Sequence, residues 1–145
     1  MEPSLVKGNR IYDNRGSLRF SNDLNFEGIK RFYLVHNYSK NFIRAWHGHL
    51  KEEKYIGCIK GTFQVSAVKI DKVKKPNKKN KIFNYFLNQS DSNFVHIPKG
   101  YANGSMSLEK NSELLIFSTS SIKESLNDDI RYEANYWNPW DIKHR

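Results

Sequence analysis

The sequence predicts an all-β domain, built as an antiparallel sandwich or a barrel. About eight short segments are rich in aromatic and β-branched residues, which favour strands. Glycine, proline, asparagine or serine separates each segment from the next, as expected for turns. No long segment has the 3.6-residue apolar period of an amphipathic helix, so we expect sheets to form the core.

The N-terminal half contains two predicted hairpins and a strand between them. The Asp-Asn-Arg-Gly sequence at residues 13–16 supplies turn chemistry between two short extended pieces. Residues 29–38 are rich in aromatic side chains and form the next predicted strand. Residues 54–59 and 62–70 meet at Gly61, which predicts that these two strands pair with each other.

The C-terminal half contains four further predicted strands, at residues 82–87, 94–97, 105–108 and 114–119. Residues 124–145 form a polar tail that carries three large aromatic residues, Tyr136, Trp137 and Trp140. We expect this tail to hold a short helical turn or to pack across a sheet of the barrel. No linker or repeat divides the chain, so residues 1–145 are predicted to be one domain.

Composition excludes several classes of protein. The formal net charge is +9, but six of the lysines lie between Lys72 and Lys81 in a segment broken by proline and asparagine. We interpret this segment as a solvated loop and expect no nucleic-acid partner, although the remaining positive field would attract a small anionic substrate. No apolar run reaches the length of a membrane span and no signal peptide is visible, so a cytoplasmic protein is expected. The single cysteine, Cys58, cannot form an intrachain disulfide.

Residues 44–55 hold the highest density of titratable groups in the chain. His47 and His49 are two residues apart, so on a strand both imidazoles would face the same side and could converge on a metal ion or a substrate. An imidazole titrates near neutral pH, and a nearby lysine or arginine can stabilise an oxyanion on a carbonyl group. This segment therefore predicts a metal site or a proton-transfer site, although the spacing alone is equally compatible with two histidines on the surface of a strand.

Two motifs resemble those of the cupins, a family of small β-barrels. The first is His47-x-His49 followed by Glu53 and Gly61, and the second is Pro98-Lys99-Gly100-Tyr101-Ala102-Asn103. In the second motif Asn103 replaces a histidine, and an amide is a poor ligand for a transition metal. The resemblance implies a jelly-roll β-barrel, and the replacement favours acid–base chemistry over metal binding.

The matches extend to cupin-fold enzymes that process nucleotide-linked 4-keto-6-deoxy sugars. The dTDP-4-dehydrorhamnose 3,5-epimerases are similar in Arg44-x-x-His47, in Lys54 opening a strand, and in the segments 65–71 and 97–104. The sugar 3,4-ketoisomerase branch, also called WxcM-like, is similar in three motifs: Asp-x-Arg-Gly-Ser-Leu at residues 13–18, Ile-Lys-Arg-x-Tyr at residues 29–33, and Arg-x-x-His-x-His at residues 44–49.

This resemblance implies a homodimer that binds a nucleotide-diphosphate sugar inside the barrel, with no metal and no other cofactor. It places His47 as the base next to the ketone and His49 as the second histidine of the ketoisomerases. It also places Lys54 at the keto oxygen and Arg44 and Arg15 at the nucleotide or sugar. The remaining candidates are Tyr33 for catalysis and, for substrate binding, Arg31, Glu53, Asn103 and Tyr101.

One departure from the epimerase pattern affects the expected reaction. Phe117 falls where the epimerases have a catalytic tyrosine, so Tyr33 or Tyr101 would have to serve as the acid. The leading interpretation is an epimerase of a (dTDP-)4-keto-6-deoxyhexose in surface-polysaccharide synthesis. The alternatives are a 3,4-ketoisomerase on the same substrate class, a non-catalytic cupin that binds sugar nucleotides, and a metal-dependent cupin oxygenase or isomerase.

Overall fold

The structure is a computed structural model that describes residues 1–141. Almost all of its regular structure is strand, as the sequence predicts. The elements are β1 (Ser4–Val6), β2 (Asn9–Asp13), β3 (Gly16–Phe20), β4 (Arg31–Asn37), β5 (Ile43–His49), β6 (Lys54–Lys60), β7 (Thr62–Lys69), β8 (Ile82–Asn88), β9 (Phe94–Ile97), β10 (Tyr101–Ser107), β11 (Ser112–Ser118), α1 (Ile122–Leu126) and β12 (Ile130–Arg131).

Two five-stranded antiparallel sheets form the barrel. Sheet A has the order β1-β9-β6-β11-β4, and sheet B has the order β12-β5-β10-β7-β8. Side chains alternate between the two faces of each strand, so every second residue points into the space between the sheets. The inward residues Phe63, Val65, Leu87, Val95 and Leu114 are almost completely buried there. The all-β prediction is therefore confirmed.

The two predicted hairpins have different outcomes. β2 pairs with β3 through the turn at residues 13–16, where Gly16 has a positive φ of 143°, and this hairpin is confirmed. The predicted pairing across Gly61 is wrong, because β6 pairs with β9 and β11 in sheet A, whereas β7 pairs with β8 and β10 in sheet B. Gly61 has a φ of 77° and marks the point where the chain crosses from one sheet to the other.

β10 begins at Tyr101, four residues before the strand predicted from sequence. The added residues include Ala102, Asn103 and Gly104, which have low strand propensity. They are extended because β10 pairs with β5 on one side and with β7 on the other. Tertiary pairing thus overrides local preference in the strand that carries Asn103.

The C-terminal segment crosses sheet B. Ser121 and Glu124 form a capping box at the start of α1, and β12 then pairs with β5. Trp137 and Trp140 lie buried against Trp46 on the outer face of that sheet. The last part of the predicted tail, residues 142–145, lies outside the described residues. Within residues 1–141, no helix has the length and apolar character needed to cross a membrane.

Candidate active site

A cavity of about 260 Å³ opens between the two sheets. Its wall from sheet A consists of Tyr33, Val35, Lys54, Ile56, Leu114 and Ile116. Its wall from sheet B consists of Arg44, His47, His49, Asn103 and Ser105. Its rim comes from α1 and the segment around β12, with Ser125, Leu126, Asp129 and Arg131. The fold thus brings together all five predicted catalytic residues and one of the predicted binding residues.

A bulge in β5 explains how Arg44 shares the cavity with His47. Asn103 pairs with His47 and Ser105 pairs with Arg44, so β5 spans three steps where β10 spans two. Strict alternation would turn residues three apart to opposite faces, and the extra residue turns them to the same face. Gly104 permits the close approach, since a Cβ at this position would lie 2.5 Å from the Cβ of Ala45.

The imidazole of His47 is neutral at physiological pH. Its ring lines the cavity and is largely removed from water, and the positive charges of Lys54 and Arg131 lie nearby. Burial, followed by these two charges, lowers the pKa of His47 to about 4. The imidazole can therefore accept a proton without first losing one.

His49 is held in one tautomer by the backbone of the C-terminal segment. Its Nδ1 lies 2.6 Å from the carbonyl oxygen of Asp128, which can only accept a hydrogen bond. Nδ1 therefore carries the hydrogen, and Nε2 of the neutral ring presents a lone pair. Burial, followed by the charge of Lys54, lowers the pKa of His49.

The carboxylate of Asp128 fixes the turn that follows β5. It accepts hydrogen bonds from the backbone N–H groups of Leu50, Lys51 and Glu52 at 2.8, 2.9 and 3.0 Å. Burial by itself would raise the pKa of Asp128, but these three hydrogen bonds together lower it. One residue of the C-terminal segment thus holds both the ring of His49 and the turn that leads to Lys54.

Glu52 is a buried carboxylate behind the cavity wall. Its Oε2 lies 3.6 Å from Nζ of Lys54 and 3.9 Å from Nε2 of His49, and its side chain has no exposed surface. Neither carboxylate oxygen has a hydrogen-bond partner among the described residues. Sequence reasoning chose the neighbouring Glu53, because the spacing of a motif does not reveal which of two adjacent glutamates is buried.

Glu53 and Arg31 lie outside the cavity lining. The carboxylate of Glu53 lies 2.8 Å from Nε2 of His96 and remains partly exposed. The guanidinium of Arg31 packs over the ring of Tyr33, 4.8 Å from its centroid, and donates a hydrogen bond to the backbone of Ser120. Arg31 thus contacts a cavity residue without lining the cavity itself.

Arg15 and Tyr101 are also separated from the cavity. Arg15 lies on the β2–β3 hairpin, where its side chain is 85% exposed and forms an ion pair with Asp13. Tyr101 is buried in the apolar core between the sheets, with its ring edge-on to Phe83. Asn103 does line the cavity, and its amide donates a hydrogen bond to the carbonyl oxygen of His47.

Phe117 does not face the cavity. Its ring packs on the outer face of sheet A, with ring centroids 5.4 Å from Phe26 and 5.9 Å from Phe94. The residues of β11 that line the cavity are Leu114 and Ile116, which alternate with Phe117. The placement of Phe117 at the position of a catalytic acid is therefore wrong. Among the tyrosines of residues 1–141, Tyr33 is the one that lines the cavity.

The rim contains an ion pair that the sequence analysis missed. Nε of Arg131 lies 3.1 Å from Asp129, and both residues border the cavity next to β5. The tail sequence is polar throughout, so only the pairing of β12 with β5 shows that these two charges border the cavity. The Arg131 side chain is 68% exposed to solvent. Within residues 1–141, no three His, Cys, Asp or Glu side chains converge as a set of metal ligands.

Comparison with protein families identifies the chain. The family described as FdtA, "WxcM-like, C-terminal", matches residues 1–139. The chain belongs to this family. A comparison with curated protein sequences finds no match. Membership of the WxcM-like family agrees with the motifs at residues 13–18, 29–33 and 44–49.

Solved structures from both enzyme branches share the fold. A QdtA 3,4-ketoisomerase double mutant from Thermoanaerobacterium thermosaccharolyticum, in complex with TDP, is 24% identical with a TM-score of 0.70, covering 94% of this chain and 91% of that one. A 3,4-ketoisomerase from Helicobacter canadensis is 21% identical with a TM-score of 0.70, and the match covers 94% of this chain and 95% of that one. The dTDP-4-dehydrorhamnose 3,5-epimerase from Bacillus anthracis, with TDP and PPi bound, is 17% identical with a TM-score of 0.77. This match covers 98% of this chain and 86% of that one. The likeness to both branches confirms the jelly-roll fold and the resemblance read from the motifs.

Proposed function

We propose that this member of the WxcM-like family is an isomerase of nucleotide-linked 4-keto-6-deoxy sugars that moves the keto group from C4 to C3. The observation that carries the proposal is the pair His47 and His49, which lie side by side on one cavity wall. Two imidazoles on one wall suit proton transfer between neighbouring carbons on one face of a sugar ring. The sequence favoured epimerisation slightly, partly on the segment around Gly100, whereas the cavity now favours ketoisomerisation.

The reaction requires two proton transfers to and from carbon. His47 removes the proton from C3, next to the C4 ketone, and the electron pair forms a C3–C4 double bond while O4 becomes an enolate oxygen. The ammonium group of Lys54 lies in the same cavity and stabilises that negative charge. The O3 hydroxyl proton passes to O4, which leaves the negative charge on O3. The His49 ring, after taking up a proton from solvent at Nε2, delivers that proton to C4, and the ketone re-forms at C3 with a hydroxyl group at C4. His47 then releases its proton to solvent.

Positive charge around the cavity supports a nucleotide-diphosphate sugar as the substrate. Arg44 lies in the wall from sheet B, Arg131 at the rim and Lys54 in the wall opposite Arg44. Guanidinium groups recognise phosphate oxygens through paired hydrogen bonds. The neighbours from T. thermosaccharolyticum and B. anthracis hold TDP, so we propose a dTDP sugar here. The homodimer and the role in surface-polysaccharide synthesis stay predictions.

Epimerisation is the second candidate, and the position of Tyr33 favours it. Tyr33 comes from sheet A and His47 from sheet B, so their side chains enter the cavity from opposite walls. A base on one side of the sugar ring and an acid on the other can invert a carbon centre. The two candidates share the first step and differ in where the proton returns.

Incubation with dTDP-4-keto-6-deoxyglucose in deuterated water distinguishes the two reactions. We expect a product with its carbonyl at C3 and deuterium at C4, observed by NMR. Deuterium at C3 or C5 with inversion and an unmoved carbonyl would instead indicate epimerisation. A sample without protein measures spontaneous exchange. If dTDP, UDP and GDP 4-keto sugars all show no exchange above this background, both candidates are wrong.

A further inference from the structure

Glu52 places a carboxyl group inside the protein without the hydrogen bonds that such a group usually makes. Its side chain has no exposed surface, and both of its oxygens lack hydrogen-bond partners among the described residues. A buried carboxylate without hydrogen bonds is unfavourable unless positive charge lies close by. The close cationic neighbour is Lys54, whose side chain is itself almost fully buried.

The backbone places Glu52, rather than contacts of its own carboxylate. The N–H of Glu52 donates to the carboxylate of Asp128, and the same carboxylate holds Leu50 and Lys51. The turn after β5 is therefore fixed from the C-terminal segment. This arrangement sets the carboxylate of Glu52 between Lys54 and His49 and leaves its oxygens free of other partners.

We propose that Glu52 is a positioning residue whose buried carboxylate stabilises positive charge on His49 and Lys54, so that His49 can hold a proton and Lys54 keeps its ammonium group at the sugar. This inference rests on the proposed function, in which His49 and Lys54 act on the substrate. Glu52 does not line the cavity. It acts through the two groups in front of it.

The charges around His49 determine in which direction its pKa should change when Glu52 is replaced. Burial and Lys54 lower the pKa of His49, whereas Glu52 and Asp128 raise it, and His47 adds a further ionisable group in the same wall. Replacing Glu52 with glutamine removes one of the two nearby negative charges and keeps the shape of the side chain. The pKa of His49 is then expected to fall further.

The test compares Glu52→Gln with Glu53→Gln as a matched control. Glu53 is the adjacent residue with the same side chain, but it faces His96 outside the cavity. The first measurement is an NMR titration of the His49 ring in the protein without ligand, with the resonance assigned from His49→Gln. Glu52→Gln should lower this pKa, and Glu53→Gln should leave it unchanged. Equal titration curves for the wild-type protein and Glu52→Gln would overturn the proposal.

The second measurement is turnover of the dTDP-4-keto sugar. We expect kcat of Glu52→Gln to fall about tenfold or more, because less of His49 then carries the proton that it delivers, with KM nearly unchanged. A lowered His49 pKa with unchanged kcat would overturn the positioning role. If the wild-type protein turns over no 4-keto sugar, the proposed function fails, while the titration still decides whether Glu52 sets the charge on His49.

A third variant covers the case in which Glu52→Gln does not fold. Glu52→Asp keeps the negative charge and withdraws it by one methylene group from both neighbours. The His49 pKa of this variant should lie below that of the wild-type protein, and its kcat should be reduced. An unchanged titration in Glu52→Asp would contradict the proposal.

Discussion

The two faces of β5 carry opposite kinds of surface. The inward face presents Arg44, His47 and His49 to a cavity, whereas the outward face presents Trp46 to a cluster with Trp137 and Trp140. Trp46 is 1% exposed, and its indole N–H donates to the carbonyl oxygen of Trp137. The outward face thus has its apolar surface buried and its polar atom paired.

On the inward face, by comparison, some buried polar atoms have no hydrogen-bond partner within residues 1–141. Nε2 of His49 on this face, and both oxygens of Glu52 in the turn behind it, are buried without hydrogen-bond partners among the described residues. Such groups destabilise a fold, and they are found where a protein must bind or react. We interpret the aromatic cluster as the support that holds the strand while its other face remains reactive. The following predictions test this division.

The largest expected effect on stability comes from the outward face. Trp46→Ala should lower the free energy of unfolding by about 3–5 kcal/mol, because it removes a large buried side chain and leaves a cavity. Denaturant unfolding monitored by circular dichroism measures this change. Phe32→Ala is the control, since Phe32 is 65% exposed, and it should change stability by less than about 0.5 kcal/mol. An equally small change in the free energy of unfolding for Trp46→Ala would contradict the supporting role of this cluster.

The largest expected effect on activity comes from the inward face. His47→Gln should reduce turnover by about 10²–10⁴-fold, because it removes the proposed base, while the fold stays stable. The assay is carbonyl migration in dTDP-4-keto-6-deoxyglucose. His36→Gln, on the exposed side of β4, serves as the control and should keep full turnover. Retained turnover in His47→Gln would show that another group is the base.

Asp128 connects the C-terminal segment to the reactive face. Asp128→Asn should lower the free energy of unfolding by about 1–3 kcal/mol, because its amide group replaces an acceptor that faces backbone N–H groups. Turnover should fall as well, since the turn that places Glu52 loosens. Asp13→Asn on the exposed hairpin is the control, and its effect on stability should be much smaller than that of Asp128→Asn. Equal effects of the two variants on stability would contradict the role of Asp128 in fixing the turn after β5.

The depressed histidine pKa values predict a loss of stability in acid. The pKa of His47 is about 4 in the folded protein and about 6.5 in an unfolded chain. Between these two pH values the unfolded chain binds more protons than the folded protein does. The stability that His47 contributes is therefore complete above pH 6.5 and is lost as the pH falls towards 4. The slope for one histidine is at most about 1.4 kcal/mol per pH unit. Unfolding measurements from pH 7 to pH 4 should show a flatter curve for His47→Gln than for the wild-type protein.

The smallest expected effect is at Phe117. Phe117→Tyr should leave turnover unchanged within about twofold, because the side chain lies on the outer face of sheet A. A general acid in the cavity would instead raise the rate by about 10²-fold or more. Kinetics of the purified variant measure the difference. A large gain in turnover would mean that this strand changes its face in the working enzyme.

Strand propensity and turn residues were sufficient to predict the all-β class and the hairpin at residues 13–16, because these depend on neighbouring residues. The sequence could not show that β6 and β7 belong to different sheets. A glycine between two strands is compatible with a hairpin and with a crossover, and only the pairing with β9, β10 and β11 decides between them. Long-range pairing was the missing information.

The sequence by itself determined that His47 and His49 share a face, since residues two apart on a strand must do so. It could not determine that Arg44 joins them, because that depends on a bulge opposite β10. It also could not choose between Glu52 and Glu53, or show that Phe117 points outward. These outcomes follow from the register between strands and from the segment around Asp128, which sets which side chain is buried and therefore what charge surrounds each histidine.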